Sequence, residues 1–273
     1  MPQTCNAGRS AVAIVLATIF SLIWLAESAS AKHSGCPDHE YKVLIFSQDP
    51  LVIYIPNFLT TEEADYLERT TKSKFTKSEV ADSHGHQLNA STRTSRSTSL
   101  ASDPIIRCIE ARALSFQGFD TPRSHLEPLQ LVTYGLGEEY HAHTDWFEAA
   151  SQTSDAYGGN RQSSFFVYVA ASGDITGGGT NFPLLDAPVD DRWCKFVNCD
   201  EPWEAGVTFR PVPRNAVFWV NLLKDGRGDK RVVHAGLPVT SGTKLGMNIW
   251  TREKALDREF RSDSADDEAS SEL

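Results

Sequence analysis

A chain of 273 residues, 40% hydrophobic and 23% charged, can build one good-sized core or two small ones, and its composition is that of a soluble globular protein. Its formal net charge is −10, and no stretch has the density of Lys and Arg that neutralising many phosphates requires, which argues against a nucleic-acid partner. Part of that charge is local, because residues 261–273 carry five acids against one base and read, with the rest of 255–273, as an acidic disordered tail.

The first 31 residues read as a targeting segment. Residues 11–26 form an uncharged apolar run preceded by Arg9 and closed by Glu27, with Ala29-Ser30-Ala31 behind it in the form of a cleavage site. The run of 16 is shorter than the roughly 20 residues a spanning helix wants, so a cleaved signal peptide and an uncleaved signal anchor both remain open. Either way the remainder enters the secretory pathway: the endoplasmic reticulum lumen or membrane, or the exterior. The C-terminal Ser271-Glu272-Leu273 is not an ER-retrieval tetrapeptide. Loss of Cys5 with a cleaved signal leaves Cys36, Cys108, Cys194 and Cys199, an even set for an oxidising compartment. Cys194 and Cys199 are close enough to clip one loop, although four cysteines permit three pairings. Asn89-Ala90-Ser91 is a glycosylation sequon that fits the same compartment.

Residues 43–60 alternate apolar residues with turn signals, which predicts short strands. Thr60 or Thr61 then caps an amphipathic helix over 62–72. Residues 76–103 are rich in Ser, Thr, Asn and Asp and predict a long exposed loop of functional or disordered character, with His84 and His86 facing solvent. Apolar spacing of three and four behind Asp103-Pro104 predicts a second helix over 104–117. From Pro128 onward, short β segments separated by Gly and Pro are expected at 129–135, 138–147, 163–171, 206–212, 215–223, 230–239 and 244–252, with 172–205 as the largest insertion. Helices gathered before many short strands predict an α+β fold with a closed or two-sheet β core such as a jelly roll. The expected organisation is a supporting region over 32–127, which includes the 76–103 loop, and a core over 128–254.

Within that core, His143 and Asp145 stand two apart in a predicted strand, so both side chains can reach one ion from one face. His234 comes from a strand far downstream. Two histidines and one carboxylate make the facial set of a non-haem iron site with open coordination positions. An H-x-D pair alone is common in proteins without a metal, and His141 shares the parity of His143 and Asp145, so a local H-x-H-x-D site is a competing arrangement. Ten residues after His234, Lys244 opens the next apolar strand. A cation there can meet the distant carboxylate of a chelated 2-oxoglutarate, with Tyr134 and Thr180 supplying hydrogen bonds. Trp193 and Trp203 in the insertion, and Phe165, Phe166, Phe218 and Trp219 in strands, are expected in the core.

Over roughly Tyr54 to Arg252, an ordered set of pieces resembles the prolyl 4-hydroxylase family of Fe(II)- and 2-oxoglutarate-dependent dioxygenases. The pieces are Leu129 to Tyr134 leading to Gly137, Tyr140, His143 and Asp145; Arg161 before a strand; Gly177-Gly178-Gly179-Thr180-Asn181-Phe182-Pro183; Asn215 to Phe218; and His234-Ala235-Gly236, Pro238, Val239, Gly242 and Lys244, with Trp250. The resemblance implies a double-stranded β-helix core, iron on His143, Asp145 and His234, and Lys244 on the C5 carboxylate of 2-oxoglutarate in a pocket lined by Tyr134, Thr180 and Trp250. It makes His141 a structural or orienting residue. It also implies that O2 is the oxidant, that ascorbate rescues the iron, and that a proline-containing polypeptide is the substrate. Arg93-Thr94-Ser95 resembles the family stretch that folds over the peptide, and Arg161 joins it as a substrate contact. Ala142, Thr144 and Gly179 depart from the family's frequent Pro, aromatic and Glu, which bears on substrate preference. The alternatives are the same chemistry on lysine, a free amino acid or a small metabolite, or a non-catalytic scaffold of the same fold.

Overall fold

The computed structural model describes residues 35–81, 87–88, 91–118 and 120–261. The apolar segment 11–26, the cleavage-like Ala29-Ser30-Ala31, His84, His86, Asn89 and the acidic end 262–273 lie outside the described residues. Among the described residues no helix is long and apolar enough to cross a membrane.

The chain opens with β1 (Leu44–Gln48) and β2 (Leu51–Ile55), an antiparallel pair. Helix α1 (Thr61–Thr71) starts at a capping box: the Thr60 hydroxyl accepts from the Glu63 amide at 3.0 Å and the Glu63 carboxylate accepts from the Thr60 amide at 2.9 Å. Three short strands, β3 (Thr76–Lys77), β4 (Val80–Ala81) and β5 (Gln87–Leu88), precede β6 (Arg96–Ser99). Helix α2 (Pro104–Gln117) is capped by Asp103, carries Pro at its first turn and ends on Gly118 at φ 67°, a left-handed stop that glycine adopts without strain. Then come β7 (Gln130–Tyr134), β8 (Tyr140–His143), β9 (Arg161–Ala171), β10 (Thr176–Gly177), β11 (Thr180–Phe182), β12 (Val207–Phe209), β13 (Ala216–Val220), β14 (His234–Gly236), β15 (Val239–Ser241), β16 (Lys244–Arg252) and a short α3 (Arg258–Arg261).

The strands form an eight-stranded antiparallel sheet, β1-β2-β13-β9-β16-β7-β6-β3, facing a four-stranded sheet, β12-β11-β14-β8, with two two-stranded pairs, β10-β15 and β4-β5, beside them. Alternation along β9 and β16 explains the layering. Phe165, Val167 and Val169 of β9, with Leu245, Met247 and Ile249 of β16, pack with Leu67 of α1 and Ile106, Ile109 and Ala113 of α2 in one cluster. On the opposite face, Phe166 and Tyr168 join Phe182, Val207, Phe209 and Trp219 in the space between the sheets. A buried pair, Glu63 with Arg112 at 2.7 Å, ties α1 to α2.

Several boundaries differ from expectation. The region before Pro128 contributes β1, β2, β6 and β3 to the main sheet itself. The 76–103 segment is not simply an exposed loop. Backbone bonds from Thr94 to Glu139 at 3.0 Å and from His141 to Thr92 at 2.9 Å lay residues 92–94 along the outer edge of β8. Residues 96–99 then pair with β7 of the main sheet, so this segment stitches the two sheets together. Its polar composition, without apolar alternation, hid the strand. Within 172–205, Thr180–Phe182 is an inner strand of the small sheet, too short and too glycine-flanked to show alternation. Toward the C-terminal end of the described residues, Leu256 and Arg261 are buried.

The cysteines pair as Cys36–Cys108 and Cys194–Cys199. The first ties the start of the described chain to α2. The second closes the local clip that their spacing favours.

Candidate active site

Strands β8 and β14 lie side by side with His143 opposite His234, which makes the two imidazoles cross-strand neighbours with ring centroids 4.3 Å apart. Strand β8 ends at His143, and Asp145 sits in the bend beyond it rather than in the strand. That bend brings the Asp145 carboxylate between the rings: Oδ1 lies 3.8 Å from Nε2 of His143 and Oδ2 lies 3.8 Å from Nε2 of His234. One ligand atom from each residue falls within 4.8 Å of the others, a grouping that could hold a metal ion.

The second ring nitrogens decide which lone pairs are available. Nδ1 of His143 is 2.8 Å from the His141 carbonyl and Nδ1 of His234 is 3.0 Å from the Val232 carbonyl. A carbonyl only accepts, so each Nδ1 carries a proton, and each Nε2 is the ring nitrogen that points toward Asp145. Burial and the neighbouring His234 push His143 down to about 3, so its imidazole is neutral near pH 7. Burial disfavours the Asp145 carboxylate, but His234, His143, Arg161 and Ser164 outweigh it and hold that group at about 2. Two imidazoles and one carboxylate, mostly buried, fit a divalent transition metal with open positions.

His234 is boxed by Trp219 at 4.6 Å and Phe182 at 5.4 Å between ring centroids. The Tyr140 ring stacks on His143 at 3.6 Å, and the Arg93 guanidinium lies over the Tyr140 ring at 4.8 Å. His141 is 53% exposed and reaches Glu139 at 3.4 Å, away from the cluster.

Lys244 begins β16 opposite Tyr134 and is 2% exposed. Its ammonium lies 4.3 Å over the Tyr134 ring and 5.5 Å from that of Phe166, and donates to the Gly178 carbonyl. Among the described residues no carboxylate pairs with it, and burial alone pushes it down to about 7. A buried cation without a counter-ion fits an anionic ligand group. Burial also raises the Tyr134 phenol to about 12, so it remains a hydrogen-bond donor. The glycines around Thr180 make room here. A Cβ at Gly177 would meet the Pro238 carbonyl at 2.3 Å, and one at Gly179 would meet Thr208 at 2.5 Å, so the side chain expected at Gly179 has no space in this strand geometry.

A second charged group flanks Asp145. Arg161 forms a two-pronged pair with Glu127 at 2.7 and 2.8 Å, stacks on Trp250 at 3.6 Å and reaches the Asp145 carbonyl at 3.4 Å. Arg252 binds the same Glu127 at 2.6 Å.

The structure thus brings His143, Asp145 and His234 together and sets Lys244 beside Tyr134, Phe166 and Gly178. Thr180 is buried nearby, accepting from the Tyr168 hydroxyl at 2.7 Å. Trp250 lies six positions along β16 from Lys244, about 20 Å at strand rise, and its ring lies under the Arg161 guanidinium at 3.6 Å. Ser95 is fully buried, donating to Ser78, and Arg93 is buried against Tyr140 while donating to the Glu79 carbonyl and Gln130, so both point inward rather than over a groove. Thr94 is half-buried and exchanges bonds with the Glu139 backbone. Sequence reasoning missed Glu127, Arg252, Ser164 and Asn221. The available signal was an acid or hydroxyl inside an apolar strand pattern.

Residues 129–252 match the family described as the 2OG-Fe(II) oxygenase superfamily. Prolyl 4-hydroxylase 1 of Arabidopsis thaliana is 31% identical over 77% of this chain and 72% of its own length, and prolyl 4-hydroxylase 2 of the same plant is 32% identical over 80% and 72%. The 2OG complex of the viral collagen prolyl hydroxylase from Paramecium Bursaria Chlorella virus-1 shares the fold, with a TM-score of 0.52 at 23% identity over 74% of this chain and 95% of that one. The chain belongs to the prolyl 4-hydroxylase family of 2-oxoglutarate- and Fe(II)-dependent oxygenases.

Proposed function

We propose that this protein hydroxylates peptidyl proline, using Fe(II) held by His143, Asp145 and His234 and 2-oxoglutarate whose far carboxylate pairs with Lys244. The observation that carries the reading is the convergence of two imidazole nitrogens and a carboxylate in a fold that also holds a buried ammonium without a paired carboxylate among the described residues. Bound iron and 2-oxoglutarate supply the oxidising chemistry: O2 is consumed, 2-oxoglutarate loses CO2 to become succinate, and one oxygen atom enters a proline C–H bond.

The chain's own residues bind, orient and exclude water. The carbonyls of His141 and Val232 fix the imidazole tautomers before the metal arrives. Lys244 anchors the co-substrate by charge, with Tyr134 and Thr180 as polar neighbours. Phe182 and Trp219 shield His234 from water, and Tyr140, held by Arg93, shields His143. The proposed peptide path runs past the 92–94 segment, with Thr94, and past Arg161, whose guanidinium is fixed in direction by Glu127 and Trp250. Arg93 and Ser95 support that path from behind. Ascorbate is the expected reductant for iron stranded in turnovers without substrate.

Two disulfides and the apolar 11–26 segment support a place in the secretory pathway, in the endoplasmic reticulum lumen, anchored to its membrane, or secreted. The test is incubation of the purified protein with Fe(II), 2-oxoglutarate, ascorbate and proline-rich peptides. The expected result is succinate release with a +16 Da increment on proline, both lost in His143→Ala. Succinate release no greater than in that variant would refute the proposal. Hydroxylation confined to lysine, a free amino acid or a small metabolite would keep the chemistry and change the target.

A further inference from the structure

Of the three residues grouped for a metal, Asp145 alone lies outside a strand: β8 ends at His143, which faces His234 of β14 in the ladder. The residue after it, Trp146, lies against the turn that leads into His234. A Cβ at Gly228 would meet Cδ2, Cε2 and Cε3 of that indole at 2.1, 2.3 and 2.4 Å, so the ring occupies the space that any other residue's side chain would take. Gly228 is not in the left-handed region, so its backbone conformation does not call for glycine; the close approach of the indole does. Nε1 of the same ring donates to the Asp229 carbonyl at 3.2 Å, the partner that a half-buried indole N–H needs. The turn is a fixed platform. Gly228 bridges Leu222, the Asp229 amide donates to the Asn221 carbonyl at 2.8 Å, and the Asn221 amide donates to the Gln162 carbonyl of β9 at 2.9 Å. The buried Asp229 carboxylate then caps the single turn Lys230–Val232 by accepting from the Arg231 amide at 2.9 Å. Val232 in turn offers the carbonyl that meets Nδ1 of His234 at 3.0 Å. Trp146 therefore joins the bend that bears one ligand to the turn that orients another.

Resting on the metal-site reading above, we propose that Trp146 is a positioning residue: its indole, seated on Gly228 and bonded to the Asp229 carbonyl, sets the approach of the Asp145 carboxylate to His143 and His234. The strand fixes the bend on its His143 side. On the other side Trp146 is the first hold, and Phe147 is the second, since its amide donates to Asn160 Oδ1 at 2.8 Å and its carbonyl accepts from Asn160 Nδ2 at 2.9 Å. Inside the bend the Thr144 hydroxyl donates to the Trp146 carbonyl at 3.3 Å, so the turn of chain around Asp145 closes on Trp146 itself. Loss of the indole frees the position next to the ligand and leaves Phe147 as the nearer hold. Filling space does not ask for this pairing, because a smaller ring opposite a residue with a side chain would close the same gap. An indole opposite glycine adds a directed hydrogen bond and one fixed approach.

The test is anaerobic Co(II) titration of the full chain, read by the cobalt visible spectrum, for wild type, Trp146→Ala, Trp146→Phe, Gly228→Ala, the Trp146→Ala/Gly228→Ala double variant, Arg227→Ala and Asp145→Ala. Groups that orient metal ligands typically contribute about 10- to 100-fold in affinity. Trp146→Ala and Gly228→Ala, the one removing the indole and the other displacing it, are expected to weaken Co(II) within that range and to alter the spectrum. Trp146→Phe, which keeps a ring but loses the N–H donor, should fall between wild type and Trp146→Ala. The double variant should bind no more weakly than Trp146→Ala, because a Cβ at 228 does no harm once the indole is gone. Arg227→Ala, in the exposed part of the same turn, should match wild type. Wild-type affinity and spectrum in Trp146→Ala or Gly228→Ala, additive losses in the double variant, or an equal loss in Arg227→Ala would each overturn the proposal. If Asp145→Ala and wild type bind Co(II) alike, it is the metal-site reading that fails. Urea midpoints identify misfolded variants, and if the alanine variants do not fold, Trp146→Phe decides: wild-type affinity and spectrum there overturn the proposal.

Discussion

Replacing Lys244 with methionine has an outcome that runs against the usual fate of a core substitution. Methionine nearly matches the volume of the lysine stem and drops only the ammonium, which is buried, lacks a counter-ion and has its pKa depressed from 10.5 to about 7 by burial. That depression corresponds to a ceiling of about 5 kcal/mol for keeping the group charged in the ligand-free protein. Because the folded value lies below the unfolded one, the penalty is fully present below about pH 7. It fades as pH rises toward 10.5, where the amine is neutral in both states. Lys244→Met without ligand should therefore be more stable than wild type at pH 6, with the difference shrinking by pH 9. 2-Oxoglutarate reverses the order, because its carboxylate supplies the missing counter-ion in wild type and finds none in the variant. Thermal melts at the two pH values, with and without 2-oxoglutarate and a redox-inert divalent metal, measure all four quantities. A variant less stable than wild type at both pH values, or equally stabilised by 2-oxoglutarate, would refute the assignment of Lys244 as an uncompensated anion receptor.

Glu127→Gln leaves Arg161 and Arg252 buried beside a neutral group, and a broken buried pair typically costs about 3 to 5 kcal/mol, measurable as a lower urea midpoint. Cys36→Ser opens a cross-link spanning 72 residues, for which chain entropy gives a loss of about 4 kcal/mol, against about 2 kcal/mol for the five-residue clip opened by Cys194→Ser. Calorimetry under oxidising conditions should rank the two variants in that order. Phe165→Ala, at the junction of β9 with both helices, should cost about 3 to 5 kcal/mol in the same assay.

The sequence disclosed the site more fully than the fold that surrounds it. Spacing alone made His143, Asp145, His234 and Lys244 candidates, and it was the resemblance over the ordered set of motifs that singled them out and set His141 aside. Helices α1 and α2 were legible because their caps are local: Thr60 with Glu63, and Asp103 with Pro104. What stayed hidden depends on partners distant in the chain. The pairing of 92–94 with β8 and of 96–99 with β7 leaves no alternation to read. Arg93 looked available for a peptide until Tyr140 and Gln130 were seen to occupy it.

The central claim is that His143, Asp145, His234 and Lys244 form one receptor for a metal and its chelating keto-acid. Visible absorption of the protein with Fe(II) and 2-oxoglutarate under strict exclusion of oxygen tests it most directly. A metal-to-ligand charge-transfer band should appear with wild type, should vanish in His234→Ala, and should require much more 2-oxoglutarate in Lys244→Met. Absence of the band in wild type, or a band of equal strength and midpoint in all three proteins, would contradict the account.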